Sequence, residues 1–441
     1  MLENEAKQKY QDIFHQISGL VLYRSILSDD LVDKAIGLLH SVLNWERRPE
    51  REALYYAFCS EIYAKGTMEN LHGELWKEHI LHLILRDENS FSLAIEIRNN
   101  NNLVEPLDAG VYQTALCDAE ILQSLYNLDI DGLALAFNVE PISLIGNFKS
   151  TVFPACVDIQ GKKRLQGALA DENPEKIIQE LISYYQTAGS GQFGQYSAFR
   201  WEQGVGIVGI KRPEKVSFTD LIGCQKQKDM LMKNTEAFVR GQAANNVLLF
   251  GDRGTGKSSS IKALLNEYAF QGLRLLEIAK HQLVYLREII SNLAGRNARF
   301  IVYIDDLSFE EFEVEYKYLK AIIEGGIEAR PANVLIYATS NRRHLVSEKW
   351  SDRGKPEDVH ASDTTQEKLS LADRFGITIT FTSPDQEQYL DIVKSIADKD
   401  GIIMPPHELR EQALKWELWH NGRSGRTARQ FIDFLLGEVK E

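Results

Sequence analysis

No apolar run in this chain is long enough to span a bilayer, no two cysteines form a CxxC pair, and no apolar leader core opens it. The first residues, MLENEAKQKY, are charged from the start. These absences exclude a membrane-spanning protein and a secreted disulfide scaffold, and point to a soluble cytoplasmic one. The four cysteines (Cys59, Cys117, Cys156, Cys224) lie far apart and read as buried free thiols in a reducing compartment. Basic residues are also in deficit. Lys and Arg number 50 against 63 Asp and Glu, for a net charge of −13. That balance argues against charge-driven binding to nucleic acid or anionic membrane, leaving only a local basic patch open. The 10 histidines show no ligand-like spacing with cysteines or carboxylates, so no metal other than Mg²⁺ is expected.

What is present is ordinary soluble material, 44% hydrophobic and 26% charged, in a chain of 441 residues that exceeds one domain. Residues 1–186 read as a mostly α-helical N-terminal domain. Apolar residues recur at three- and four-residue spacings in Asp30–Leu43, Glu52–Tyr63, Leu71–Leu85 and Tyr112–Leu125. The stripe Leu71, Leu75, Trp76, Ile80, Leu81, Ile84, Leu85 is a core-facing pattern. The four-Asn run Asn99–Asn102 reads as a loop. Residues 187–214, rich in Gly, Ser and Gln, read as a flexible or extended linker. They contain Gly204-Val-Gly206-Ile-Val-Gly209, which fits G-x-G-x-x-G. Lys211-Arg212-Pro213 follows, however, and proline blocks the helix that a dinucleotide loop requires.

From residue 215 to 383 short apolar runs alternate with helical patterns: Val247–Phe250, Leu273–Ile278, Phe300–Ile304, Val334–Ala338 and Ile377–Phe381. Such alternation predicts a five-stranded parallel sheet covered on both faces. Residues 384–441 hold three helical stretches, near Gln386–Asp398, His407–Trp419 and Thr427–Lys440.

The segment Gly251-Asp252-Arg253-Gly254-Thr255-Gly256-Lys257-Ser258 is a G-x-x-x-x-G-K-[ST] phosphate loop, placed between a buried strand and a helix that opens at Ser259. Its glycines let successive backbone N–H groups converge on phosphate oxygens, and the helix dipole favours an anion at the same point. Lys257 reaches the β- and γ-phosphates, and the Ser258 hydroxyl suits Mg²⁺. No NKxD-type guanine-reading motif is evident, which leaves ATP (or ADP) as the nucleotide.

Two carboxylates, Asp305 and Asp306, end the run Phe300–Ile304, and groups at the carboxyl end of a parallel strand face the ligand crevice. Asp305 suits Mg²⁺. Asp306 stands where a glutamate often polarises the attacking water, one methylene shorter, and Glu310 offers the longer reach. Asn341, closing Val334-Leu-Ile-Tyr-Ala338-Thr339-Ser340, is placed to orient water against the γ-phosphate. Arginines in Leu371-Ala-Asp373-Arg374-Phe375-Gly376 and in Gly422-Arg423-Ser424-Gly425-Arg426-Thr427-Ala428-Arg429 are candidates to stabilise transition-state charge.

Together these motifs resemble the AAA+ ATPases over roughly residues 215–441. The resemblance implies a P-loop αβα sandwich with a C-terminal helical lid and a nucleotide bound at a subunit interface. It implies that Ile222 and Gly223 contact adenine and that Asp305 and Asp306 form the Walker B pair. Asn341 is then sensor 1, Arg374 an arginine finger reaching a neighbouring subunit, and Arg426 sensor 2, with Arg429 one turn on as its rival. More narrowly, the stretches DDLSFE and EGGIEARPANVLIYATSNRRHLV resemble an uncharacterised bacterial AAA+ group, the family of unknown function numbered 815. The polar insert Lys349–Lys368 reads as a long functional loop or a plain solvated one.

The expected protein hydrolyses MgATP to drive conformational change in a partner, as a ring-type homo-oligomer whose N-terminal domain reads an unknown protein. Two alternatives remain open from the sequence: a nucleotide-dependent switch or scaffold with little turnover, and a DNA-acting ATPase of the helicase-loader type, which LADRFGI resembles and the acidic balance disfavours.

Overall fold

The computed structural model describes residues 2–43, 48–69, 71–100, 107–136, 139–142, 148–149, 158–171, 173–309, 315–324, 331–341, 371–420 and 422–438. The chain divides into two compact units. One is Met1–Tyr196 with Gly295–Asn297, and the other is Ser197–Ala294 with Ala298–Glu441.

The first unit is helical. It holds α1 (Leu2–Ile17), α2 (Asp30–Leu43), α3 (Arg48–Glu69), α4 (Leu75–Arg86), α5 (Ser90–Asn100), α6 (Ala109–Tyr126), α7 (Ile130–Ala136), α8 (Ile159–Ala170), α9 (Pro174–Thr187) and α10 (Gly191–Gln195), with a two-residue pairing of β1 (His72–Gly73) and β2 (Phe148–Lys149). The stripe read from the sequence is buried as expected, from Leu71 through Leu85, and the Trp76 indole donates to the Leu125 carbonyl at 2.9 Å. Starts are set by local chemistry. Asp108 caps α6 through the N–H groups of Gly110 and Val111, and Asn173 caps α9, with Pro174 in its first turn. The buried Asp118 carboxylate accepts the N–H groups of Val21, Leu22 and Tyr23, fixing a turn with no ladder of its own.

Two expectations change here. Asn99 and Asn100 close α5 rather than a loop, while Asn101 and Asn102 lie outside the described residues. Cys117 is exposed, and Cys156 lies outside the described residues. Cys59 is buried and Cys224 half-buried, all three unpaired.

The second unit is an αβα sandwich on a seven-stranded sheet: β3 (Ala198–Glu202), β4 (Gly206–Gly209), β5 (Val247–Gly251), β6 (Leu273–Ile278), β7 (Arg299–Ile304), β8 (Val334–Ser340) and β9 (Ile377–Phe381). The spatial order is β4-β3-β6-β7-β8-β5-β9, parallel except for β4. The five expected strands are all present, and β8 is buried along its whole length, the mark of a sheet covered on both faces.

The extra two strands come from the expected linker. Phe199 and Trp201 are buried, Gly204 and Gly206 turn the chain at φ 81° and 102°, and β3 then pairs antiparallel with β4 and parallel with β6. The glycine pattern is thus a hairpin turn. Residues 187–214 also hold α10, and the unit boundary falls inside them, after Tyr196.

Helices α11 (Gln225–Val239), α12 (Lys257–Tyr268), α13 (Leu286–Leu293) and α14 (Glu315–Glu324) connect the strands. The lid follows as α15 (Gln386–Asp400), α16 (Pro406–Trp419) and α17 (Gly425–Glu438), packed around Tyr389, Val393, Ala413, Phe431 and Ile432. Asp385 and Gln388 form a capping box at its start. Among the described residues no helix is long and apolar enough to cross a membrane.

Candidate nucleotide site

Strands β7, β8 and β5 are neighbours, so their carboxyl ends meet at one edge of the sheet. The register sets Ile304 beside Ala338 and Leu249 beside Thr339, which brings the two aspartates, the end of β8 and the phosphate loop together.

The loop leaves β5 at Gly251 with φ 141°, and a Cβ there would sit 1.7 Å from the Phe381 carbonyl oxygen. No side chain fits. Gly256, at φ 95°, turns the chain into α12, whose N-terminus opens onto the crevice. Lys257 is buried at 6% exposure. Its Nζ donates to the carbonyls of Gly251 (2.8 Å) and Asp252 (2.6 Å) and to Asn341 Oδ1 (3.0 Å). Burial pushes the ammonium below the usual lysine range, against the opposing pull of Asp252, Asp306 and Asp305. The Asp252 carboxylate accepts the Ser383 hydroxyl at 2.7 Å and so braces the loop.

Ser258 Oγ donates to Asp305 Oδ1 at 2.7 Å, and the Thr339 hydroxyl donates to the same oxygen. Burial alone would raise the Asp305 carboxyl; the hydrogen bonds from Thr339 and Ser258 outweigh it and hold Asp305 below the usual range. Asp306 adopts φ 50°, in the left-handed region, fixed there by its N–H on Thr339 Oγ1 (3.0 Å) and by the Leu307 N–H on the Thr339 carbonyl (2.7 Å). That turn aims the Asp306 carboxylate at Asn341, whose Nδ2 donates to it at 2.6 Å.

A crevice of about 1050 Å³ gathers most of the expected site: Ile222, Gly223, Arg253, Gly254, Thr255, Gly256, Lys257, Ser258, Ser259, Asp305, Asp306, Asn341, Arg426 and Arg429 all line it. Gly251 and Asp252 do not line it. Arg374 does not line it and is paired with Glu324 on α14. Glu310 and the insert Lys349–Lys368 lie outside the described residues. Arg429 is held by Asp400 (2.8 Å) and Asp433 (2.6 Å), whereas Arg426 forms no ion pair with a described residue and packs beside Gly254.

The donor set fits a magnesium nucleotide. Hard oxygens of Ser258 and Asp305 adjoin a helix N-terminus and a lysine paired only with neutral oxygens. Three contributors were missed from the sequence. Thr339 was visible only as one polar residue in Ala338-Thr339-Ser340-Asn341, Ser383 carried no signal, and Lys228 was indistinguishable from Lys226 and Lys233 on its helix.

A phosphate loop on β5, paired carboxylates on β7, an asparagine ending the strand between them and a three-helix lid define an AAA+ nucleotide-binding protein. Residues 194–439 match the model of a family described as "Protein of unknown function (DUF815)", and the chain belongs to that family. Among curated proteins, the Replication factor C large subunit of Methanococcus vannielii is 34% identical over 235 residues, 52% of this chain and 41% of that protein. The subunit of the same name from Methanococcus maripaludis is 32% identical over 89 residues, 20% of this chain and 18% of that protein. The chain therefore spans less than half the length of the curated relatives it matches. Among solved structures, the Thermotoga maritima RuvB Holliday junction branch migration motor aligns with a TM-score of 0.33 at 15% identity, over 50% of this chain and 72% of that one. The FIGL-1 AAA domain in complex with ADP aligns with a TM-score of 0.33 at 18% identity, over 49% and 71%.

Proposed function

We propose that this chain binds MgATP in the crevice and hydrolyses it to move the lid against the core, acting within a homo-oligomer. One observation supports the reading: the Asn341 carboxamide joins Lys257 of the phosphate loop to Asp306 at the end of the neighbouring strand. In this reading the water attacks the γ-phosphate in line, Asp306 accepts its hydrogen bond and proton, and Asn341 fixes its direction. Glu310 is the alternative base. Ser258 and Asp305 would hold Mg²⁺, which would offset charge on the phosphate oxygens. Lys257 and Arg426 add positive charge from the same subunit.

Arg374 serves a neighbouring subunit's site, in keeping with its place off its own crevice. The helical first unit reads a protein partner, and the reaction powers that partner's rearrangement. A second reading, a nucleotide-dependent switch with little turnover, is favoured by the short Asp306 side chain and its engagement by Asn341.

Phosphate release against protein concentration, for wild type and Arg374→Ala, separates the two. A rate per subunit that climbs with concentration and collapses in the variant, while ATP still binds, supports the assembling ATPase. Tight binding with negligible release across all concentrations supports the switch.

A further inference from the structure

The turn Phe218-Thr219-Asp220-Leu221 leads into Ile222, Gly223 and Cys224, and this segment lines the crevice without belonging to the sheet. Local bonds hold its first half: the Leu221 N–H donates to the Phe218 carbonyl at 3.3 Å, and Asp220 pairs with Lys399 at 2.7 Å. Gly223 and Cys224 are consecutive left-handed residues, at φ 75° and 54°, and the second has a side chain and so is strained. A capping box between Ser217 and Asp220 adds to that first turn, and Ile222 and Gly223 follow it.

Lys228, in the first turn and a half of α11, is buried at 7% exposure. Its position is costly twice over: an ammonium is taken out of water, and it stands near the positive end of a helix dipole. No carboxylate of a described residue forms an ion pair with it. Instead its Nζ donates to the Phe218 carbonyl at 3.1 Å and to the Leu221 carbonyl, the two ends of the turn. Charge-assisted bonds to two carbonyls offset the burial only while the turn keeps this shape.

We propose that Lys228 is a positioning residue for the part of the crevice outside the phosphate loop: by clamping the carbonyls of Phe218 and Leu221 it fixes Ile222 and Gly223, which line that part, against the base of an adenine nucleotide whose phosphates occupy the loop. The inference rests on the nucleotide-binding reading above and adds a residue to it. Lys228 Nζ bonds the turn and no residue of the phosphate loop, so its loss is felt by ligands with a base and not by the phosphate chain alone.

The test uses the full chain and two probes, MgADP by calorimetry and inorganic tripolyphosphate by competition, with Lys228→Met and Lys228→Arg. Loss of two charge-assisted bonds weakens MgADP binding by about tenfold or more in Lys228→Met. Tripolyphosphate binding stays within about twofold, and Lys228→Arg, which keeps the charge and donors, restores MgADP binding to within about threefold. Amide exchange at residues 218–224 quickens in the methionine variant. Should that variant not fold, Lys228→Gln carries the same comparison with a neutral donor. MgADP affinity within about twofold of wild type, or an equal loss for tripolyphosphate, overturns the inference. Absence of MgADP binding by the wild-type protein sinks the nucleotide-binding reading itself, and the inference with it.

Discussion

Asn341 donates its amide to the Asp306 carboxylate at 2.6 Å, across the gap between the ends of two adjacent strands. Neither residue would point this way by default. Asp306 is turned by its left-handed backbone, and that backbone is pinned by both the hydroxyl and the carbonyl of Thr339 on the next strand. The pair is therefore a product of strand register: a slip between β7 and β8 would separate it.

Replacing Asn341 tests whether this pair does chemistry. Asn341→Ala leaves Lys257 with its two carbonyl acceptors, so MgATP affinity should stay within about threefold, while phosphate release falls by about a hundredfold. Single-turnover phosphate release and equilibrium binding decide the matter. A loss confined to binding would reassign Asn341 to holding the lysine.

Two glycines, one in the phosphate loop and one lining the crevice, separate two kinds of cost. At Gly251 a methyl group collides with the Phe381 carbonyl and the φ of 141° is foreign to L-residues. Gly251→Ala should destabilise the second unit by about 3 kcal/mol or more and abolish nucleotide binding. At Gly223 a Cβ meets nothing within 4 Å, and only the φ of 75° resists it. There the cost should be about 1 kcal/mol. Denaturant melts of the two variants check the order, and equal costs would contradict this account.

How much of this was legible in the sequence follows from how local each signal is. The phosphate loop and the five core strands were readable because glycine spacing and apolar runs are local properties. The β3–β4 hairpin was not, because Ala198, Phe199 and Arg200 join the sheet only through pairing with β6, far along the chain. Asp305, Asp306 and Asn341 were found from their positions at strand ends. Thr339 and Lys228 act through the backbone of other segments, and no spacing encodes that.

Within the helical unit, Asp29 accepts from His79 Nε2 at 2.9 Å and from Lys65, and His79 is fully buried with Glu69 on its other nitrogen. Burial alone would raise Asp29, but its bonds to His79 and Lys65 hold it well below the usual carboxylate range. Burial would likewise lower His79, yet Asp29 and Glu69 hold it above its ordinary 6.5. The signs oppose each other. Asp29 contributes stability above its unfolded value and loses it as pH falls towards its depressed folded value. His79 contributes fully below 6.5 and loses it as pH rises through its elevated folded value. Protection of α2 to α4 against amide exchange should therefore peak between pH 4.5 and 6.5, the ordinary Glu and His values, and decline on both sides. His79→Gln should lower it by about 3 kcal/mol at the peak and flatten the alkaline decline. A variant with an unchanged alkaline limb would rule out His79 as its source.

Arg426 and Arg429 are one helical turn apart, and both face the crevice, but they are differently committed. Arg429 is bound to Asp400 and Asp433 on the lid itself, half in solvent, and such pairs are worth about 1 kcal/mol or less. Arg426 packs against the phosphate loop, where the Gly425 N–H donates to the Gly254 carbonyl at 3.0 Å and locks the start of α17 to the loop. Arg426→Ala should thus cut phosphate release by about a hundredfold or more while leaving the lid folded. Arg429→Ala should change release by no more than about threefold and lower lid stability only slightly. Parallel turnover assays and melts of the two variants distinguish the roles. The reverse pattern would mean that nucleotide draws Arg429 away from its aspartates and that Arg426 serves only to anchor the helix.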